Sequence, residues 1–293
     1  MSDSDSQHGN DIKIHRPKDR SVAAILIASG RLTPEKSEEI LERQKQTGAD
    51  FSETGKAMGL LTQKDITFAL SRQFEYPYPI LDSSVVTKEV AAGHRPYSRQ
   101  IEALRGVRSR LLLNWLADSQ SGKALAIVSP SRSEGRSWLT ANLAVLFSQL
   151  GERTLIIDAD MRNPRQHSMF GIRNQNGLSN VIAGLAGLET IYQCPDFPNL
   201  SIMPSGTLPP NPQELVGKIE FAMLLQRLRE EYDVILIDSP ALEDAADAEA
   251  IAARAGSALF VARKNYSKLS LFDQYTTLLH RSSVELAGSV LLD

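Results

Sequence analysis

The chain has 293 residues, with 32 Lys and Arg against 35 Asp and Glu and a formal charge of −3. That length holds two domains with ample core, and a mixed, slightly acidic charge leaves no nucleic-acid footprint. No run of ~18 apolar residues is present, so no membrane-spanning helix is expected; Cys194 is alone, which leaves no internal disulfide and fits a reducing cytoplasm.

Residues 1–20 are polar, with no apolar stretch before Val22, and read as a disordered tail. They lack the apolar segment a signal peptide needs. Residues 21–80 hold an internal repeat. Ala28-Ser29-Gly30-Arg31-Leu32-Thr33 returns as Ala57-Met58-Gly59-Leu60-Leu61-Thr62, and Gln44 returns as Gln73. Each unit reads as helix, glycine turn, threonine cap, helix, with Leu41 and Leu70 at matching places on the second helices. A tandem helical pair can bury one shared core, so a small helical domain is expected. The segment resembles the N-terminal domain of type II secretion and pilus ATPases, some of which bind cyclic di-GMP through an R-L-G-x-x-L element in each repeat. The corresponding triplets here are Ser21-Val22-Ala23 and Asp50-Phe51-Ser52. Both arginines and both glycines are missing, so packing or partner docking is expected rather than cyclic di-GMP binding. Residues 81–96 lose periodicity and read as a linker.

Residues 97–293 form the second expected domain. Ala124-Leu125-Ala126-Ile127-Val128 is a continuous apolar run, as in a parallel strand buried on both faces. Leu139, Leu143, Leu146 and Leu150 follow at helical spacing, closed by Gly151. Between them lies Ser-Pro-Ser-Arg-Ser-Glu-Gly-Arg-Ser at 129–137. A loop between strand and helix aims backbone N–H groups and a helix N-terminus at an anion. The phosphate-loop pattern is G-x-x-x-x-G-K-[ST]. Here Pro130 stands at the first glycine and Arg136 at the lysine, while Gly135 and Ser137 keep their places. Arginine's planar fork is not interchangeable with lysine's compact ammonium. Ser131, Arg132, Ser133, Glu134, Gly135, Arg136, Ser137 and Trp138 are the expected nucleotide contacts.

Two more apolar strands end in carboxylates: Thr154–Asp158, continuing to Asp160, and Val234–Asp238. In an open parallel sheet ligands bind at the carboxyl ends of strands. Asp158, Asp160 and Asp238 would therefore meet the loop at one edge. Carboxylates beside a triphosphate make sense with Mg²⁺ between them; the alternative is that they cap loops and helix ends. The predicted fold class is α/β: a P-loop NTPase with a mostly parallel sheet flanked by helices, plus the small N-terminal helical domain.

This set resembles the bacterial tyrosine kinases of polysaccharide export, of the EpsG chain-length determinant type. The likeness spans about residues 97–293. It includes Asp158-Ala159-Asp160-Met161-Arg162-Asn163-Pro164, Gly177-Leu178-Ser179 and the more specific Pro209-Pro210-Asn211-Pro212-Gln213-Glu214-Leu215. The resemblance implies a tyrosine kinase using ATP and Mg²⁺. Asp158 and Asp160 with Arg136 would be catalytic, Asp158 activating the tyrosine hydroxyl. Ser137, Asp160 and Asp238 would organise the metal. Glu102, Arg105 and Arg108 match the family's E-x-x-R-x-x-R contact between subunits of a homo-oligomer, with a solvated charged face as the alternative. A separate membrane-embedded chain-length regulator would recruit the cytoplasmic protein to the inner face of the membrane. The family's tyrosine-rich tail does not follow Leu292-Asp293, so phosphorylation would fall on another chain. The other reading is a nucleotide-binding assembly switch without useful kinase activity. His8, His15, His94, His167 and His280 show no metal-ligand spacing.

Overall fold

The computed structural model describes residues 21–73, 85–117, 123–244 and 246–293. The expectations for residues 1–20 and 74–84 lie outside them. The chain divides into two compact units after Pro77.

Among the described residues the first unit has four helices: α1 (Val22–Ala28), α2 (Pro34–Thr47), α3 (Phe51–Ala57) and α4 (Gln63–Gln73). Both repeats turn in the same way. Gly30 and Gly59 each sit at φ +69°. The N–H of Leu32 reaches back to the Leu26 carbonyl at 3.2 Å, and that of Leu61 to the Gly55 carbonyl at 3.1 Å. Each unit then restarts on a threonine cap. Thr33 accepts from the Lys36 N–H, and Thr62 forms a reciprocal box with Asp65, whose Oδ2 accepts the Thr62 N–H at 3.0 Å. Leu26, Leu32, Ile40, Phe51, Leu61, Ile66 and Ala69 make the core. Ile40 and Ala69 carry the second helices into it, rather than the adjacent Leu41 and Leu70. Leu41 is exposed, and Leu70 only packs against the margin.

The second unit is a seven-stranded sheet of β1 (Ala124–Val128), β2 (Thr154–Asp158), β3 (Tyr192–Gln193), β4 (Leu200–Met203), β5 (Val234–Asp238), β6 (Ser257–Arg263) and β7 (Glu285–Leu292). The spatial order is β3-β4-β2-β5-β1-β6-β7. Among the described residues only the β3–β4 pair is antiparallel. The connections diverge between β1 and β5: from β1 the chain goes to β2 on the β3 side, and from β5 it crosses β1 to β6 on the β7 side. That is the topological switch point where such sheets bind ligands. On one face Leu125 and Ile127 meet α6 (Arg99–Leu111) and α7 (Arg136–Ser148). On the other, Ala124, Ala126 and Val128 meet α11 (Ile219–Glu231) and α12 (Asp247–Ala255). Helix α7 is buried nearly all round, so it shows no polar face. It ends at Ser148; Leu150, counted above in its apolar spacing, lies beyond it and is exposed.

Residues 85–96 are not a free connector. Val86, Val90, Ala91 and Ala92 join the sheet unit's core, and α5 (Ala91–His94) docks on α7. The Ala92 N–H donates to Asn142 Oδ1 at 2.7 Å, and Asn142 Nδ2 donates to the Glu89 carbonyl at 3.0 Å. The alternation of small apolar residues with Lys, Glu, His and Arg hides this packing from a periodicity test.

The remaining short elements are α8 (Gln166–Met169), α9 (Leu178–Ile182) and α10 (Pro212–Gly217), with α13 (Leu269–Arg281) preceding β7. The Gly177-Leu178-Ser179 motif has a packing reason. A Cβ on Gly177 would collide with the Pro204 carbonyl, while Ser179 Oγ donates to the Thr207 carbonyl at 2.7 Å.

Candidate active site

Strand register puts two of the three carboxylates level. Asp158 at the end of β2 pairs with Asp238 at the end of β5, and Asp238 also lies opposite Ile127 of β1, one residue before Val128 closes that strand. The loop 129–135 then rises over this edge and enters α7. Gly135 is at φ +98°, and a Cβ there would come within 2.5 Å of Leu292 Cδ1. No other residue fits both the dihedral and the space. Ser133 also has a positive φ, +59°, a conformation that glycine would hold more easily.

Arg136 turns inward. It is 8% exposed; Nε donates to the Ser239 carbonyl at 2.9 Å, and Nη1 donates to the Ser131 carbonyl at 2.8 Å and to the Ser129 hydroxyl. The guanidinium thus joins the loop to the segment after β5. Its charge also opposes the rise in pKa of Asp160 and Asp238. Glu134 is buried too, and its carboxylate accepts the Ser131 N–H at 2.8 Å and the Ser267 hydroxyl. It braces the loop from beneath rather than facing a ligand. Ser131 Oγ donates to Glu243 Oε2 at 2.8 Å, and the Arg132 N–H to Glu243 Oε1 at 3.2 Å; Arg132 Nε also pairs with Asp244 at 2.7 Å. Trp138 is half-buried against the core.

Asp158 and Asp160 do act as caps, and that is only half their chemistry. Asp158 Oδ2 accepts the N–H groups of Arg165 at 3.0 Å and Gln166 at 2.9 Å, and Asp160 Oδ1 accepts that of Asn163 at 2.9 Å. The second oxygen of Asp158, like Oδ1 of Asp238, is buried without a hydrogen-bond partner. Burial pushes the Asp158 carboxyl well above the usual carboxylate range, with the neighbouring Asp238 adding to it. Burial likewise raises Asp238 to about 6, against the hydrogen bond from Gln166 and the nearby Ser137 and Arg136. Asp160 is raised by burial as well. Lone pairs left unsatisfied in a dry site mark a place built for a ligand rather than for stability.

A cleft of about 830 Å³ opens along the loop, lined by Ser133, Glu134, Gly135, Trp138, Arg99 and Lys264 among others. Among the described residues no group of three His, Cys, Asp or Glu could hold a metal ion by itself. Glu102 is the exposed member of its helical trio and pairs with Arg105 at 2.7 Å. Arg108 is buried in its own protomer, donating to the Leu146 carbonyl at 3.0 Å. The three therefore do not share one solvent-facing surface.

The AAA domain family model matches residues 124–270. The chain is 34% identical over 197 residues to a Staphylococcus aureus protein assigned as the tyrosine-protein kinase CapB, a match covering 67% of this chain and 86% of that one. This chain belongs to the bacterial P-loop tyrosine kinases. It is also 31% identical over 203 residues to the tyrosine-protein kinase wzc of Salmonella typhimurium, covering 69% of this chain but 28% of that longer protein. Among solved structures, the chimerical protein CapA2B2 is similar with a TM-score of 0.65 and 28% identity, over 79% of this chain and 98% of that one.

In this kinase three site residues escaped the sequence reading: Gln166, Glu243 and Asp247. Gln166 lies in an unpatterned Arg-Gln-His stretch. Asp247 is the first residue of α12 and accepts from Arg162 Nε at 3.0 Å, a pair 85 residues apart that no local spacing reveals. Glu243 could have been found from its place just beyond the Asp238 strand. His167 sits half-buried on α8, with its pKa lowered by burial. Cys194 is buried in the core, which raises its thiol to about 11 and leaves it inert as a nucleophile. Among the described residues no helix is long and apolar enough to cross a membrane.

Proposed function

We propose that the chain transfers the γ-phosphoryl group of Mg-ATP to a tyrosine of a partner polypeptide, in a machine that polymerises and exports exopolysaccharide and sets its chain length. The observation carrying this is the level pair Asp158 and Asp238, each with a buried, unpartnered oxygen beside the phosphate loop. An oxygen-only donor set with few protein ligands suits Mg²⁺, which keeps waters and phosphate oxygens in its shell. Ser137, Asp160 and Asp238 would hold it, and the ion would neutralise charge on the phosphates. Burial makes Asp158 a stronger base than an ordinary carboxylate. The phenol oxygen attacks the γ-phosphorus, the bond to the ADP oxygen breaks, and the phenol proton passes to Asp158. The phosphates would lie on the loop 131–138; the cleft between Gly135, Trp138, Arg99 and Lys264 is not lined by Asp158, Asp160 or Asp238 and is not assigned to the nucleotide.

The partner in this proposal is a separate membrane-embedded chain-length regulator that brings the cytoplasmic kinase to the membrane. The homo-oligomer would use Glu102 and Arg105, with Arg108 setting the helix from inside. The test is direct: purified chain, ATP, Mg²⁺ and the cytoplasmic segment of the partner, followed by phosphotyrosine detection. The reading is lost if nucleotide binds and no phosphotyrosine forms.

A second reading, a nucleotide-dependent assembly switch without useful kinase activity, is favoured by the inward guanidinium and by Glu243 on the loop. Arg136→Lys separates the two. Raised phosphotyrosine output marks a kinase with an attenuated loop; a changed oligomeric state with no phosphotyrosine in either form favours the switch.

A further inference from the structure

We propose that Gln166 is a positioning residue of this site: its carboxamide ties the start of α7 to the end of β5 and offers its oxygen to the hydration shell of the divalent cation. The proposal rests on the nucleotide-site reading above. Gln166 is fully buried. Nε2 donates twice, to the Ser137 carbonyl at 3.1 Å and to Asp238 Oδ2 at 2.8 Å, while its own backbone N–H goes to Asp158 Oδ2 at 2.9 Å. One residue therefore touches the loop helix, β5 and β2, the three segments whose spacing defines the site.

The orientation of the amide is fixed by chemistry. Both groups facing Nε2 are pure acceptors, so the flipped amide would set oxygen against oxygen twice. Oε1 then has one place to point, and there it is buried without a partner, as are Asp158 Oδ1 and Asp238 Oδ1. A neutral acceptor suits a position already crowded by carboxylates. It can take a hydrogen bond from a metal-bound water without adding a charge that would repel the nucleotide. The donor side holds Asp238 so that Oδ1, not Oδ2, faces the ligand. Partners of this kind around metal ligands govern metal affinity more than they govern folding.

The decisive measurement is Mn²⁺ retention by the full chain with ADP, read from the free Mn²⁺ signal in electron paramagnetic resonance. Fluorescent ADP binding in EDTA is measured beside it. Gln166→Met keeps the volume and removes donors and acceptor. It is expected to weaken Mn²⁺ retention by ~10–100-fold and to leave metal-free ADP binding unchanged. Gln166→Asn keeps the amide but is one methylene too short to reach both Ser137 and Asp238, and the same selective loss is expected. If Gln166→Met does not fold, Gln166→Asn decides alone. Folded variants that hold Mn²⁺ as the parent does overturn the role of Gln166 and leave the kinase reading standing. Equal loss of ADP with and without metal also overturns it, because the residue then only supports the loop. A parent chain that binds ADP but retains no Mn²⁺ overturns both.

Discussion

The helical unit closes on Leu26, Leu32, Ile40, Phe51, Leu61, Ile66 and Ala69 and, among the described residues, buries no charged side chain. The sheet unit buries Glu134, Arg136, Asp158, Asp160, Asp238 and Asp247, drawn from the carboxyl ends of its central strands and the loops beyond them. Burying ionisable groups is costly unless they are paired, and here three carboxylates, Asp158, Asp238 and Asp247, keep an oxygen with no partner. The first unit is organised for stability, and the second gives up stability at one edge. That difference, read without reference to any relative, points to the same edge as the proposed site.

The comparison breaks most sharply at Asp158. Asp158→Asn keeps the shape and the caps to Arg165 and Gln166 but removes the base. Phosphotyrosine formation is expected to fall by ~10²–10⁴-fold while the helical unit is untouched, as hydrogen exchange over residues 21–73 would report. The converse change is Leu26→Ala. It removes a fully buried side chain from the small core and is expected to cost ~2–5 kcal/mol there. Exchange protection over residues 21–73 falls, and protection of β1, β2 and β5 does not. Loss of protection in both units would mean that their stabilities are coupled.

Much of this was legible in the chain. Continuous apolar runs ending in Asp announced β2 and β5, because a strand buried on both faces has no polar alternation to dilute the signal. The 29-residue repeat announced the matching glycine turns, since a φ of +69° at Gly30 and Gly59 selects glycine at both. What stayed hidden depends on distance along the chain. Nothing local says that Gln166 will reach Asp238, that Glu243 will meet Ser131, or that Asp247 will hold Arg162. Residues 85–96 escaped because they pack on α7 through small residues and an asparagine. Arg136 was visible as a substitution; that its fork turns inward depends on carbonyls of Ser131 and Ser239 brought together only by the fold.

Asp238 sharpens the comparison in the opposite direction. Its carboxyl is raised to about 6 from an unfolded value near 3.8, chiefly by burial. A raised carboxylate binds its proton more tightly in the folded chain. The resulting stability is therefore fully present below the unfolded value and is lost as pH rises through about 6. Asp238→Asn removes that penalty. The nucleotide-free protein is expected to gain on the order of 3 kcal/mol at pH 8 and almost nothing near pH 3. Denaturant melts at several pH values would check this, and phosphotyrosine output would fall at the same time. No gain at pH 8 would mean that Gln166, Ser137 and Arg136 already compensate the charge.

The smallest expected effect lies in the two turns of the helical unit. Gly30 and Gly59 have the same φ, and a Cβ at either would meet nothing within 4 Å. Alanine there loses only the conformational term, ~1 kcal/mol each, and the two substitutions should cost the same. Gly135 provides the contrast. Its alanine adds an approach to Leu292 Cδ1 at 2.5 Å to the same backbone strain, so its cost should exceed theirs and appear in the sheet unit's exchange pattern. Unequal costs at Gly30 and Gly59 would point to a difference outside the turns. The first candidate is the Arg31–Asp65 ion pair at 3.0 Å, because Leu60 stands at the position equivalent to Arg31 and cannot form one.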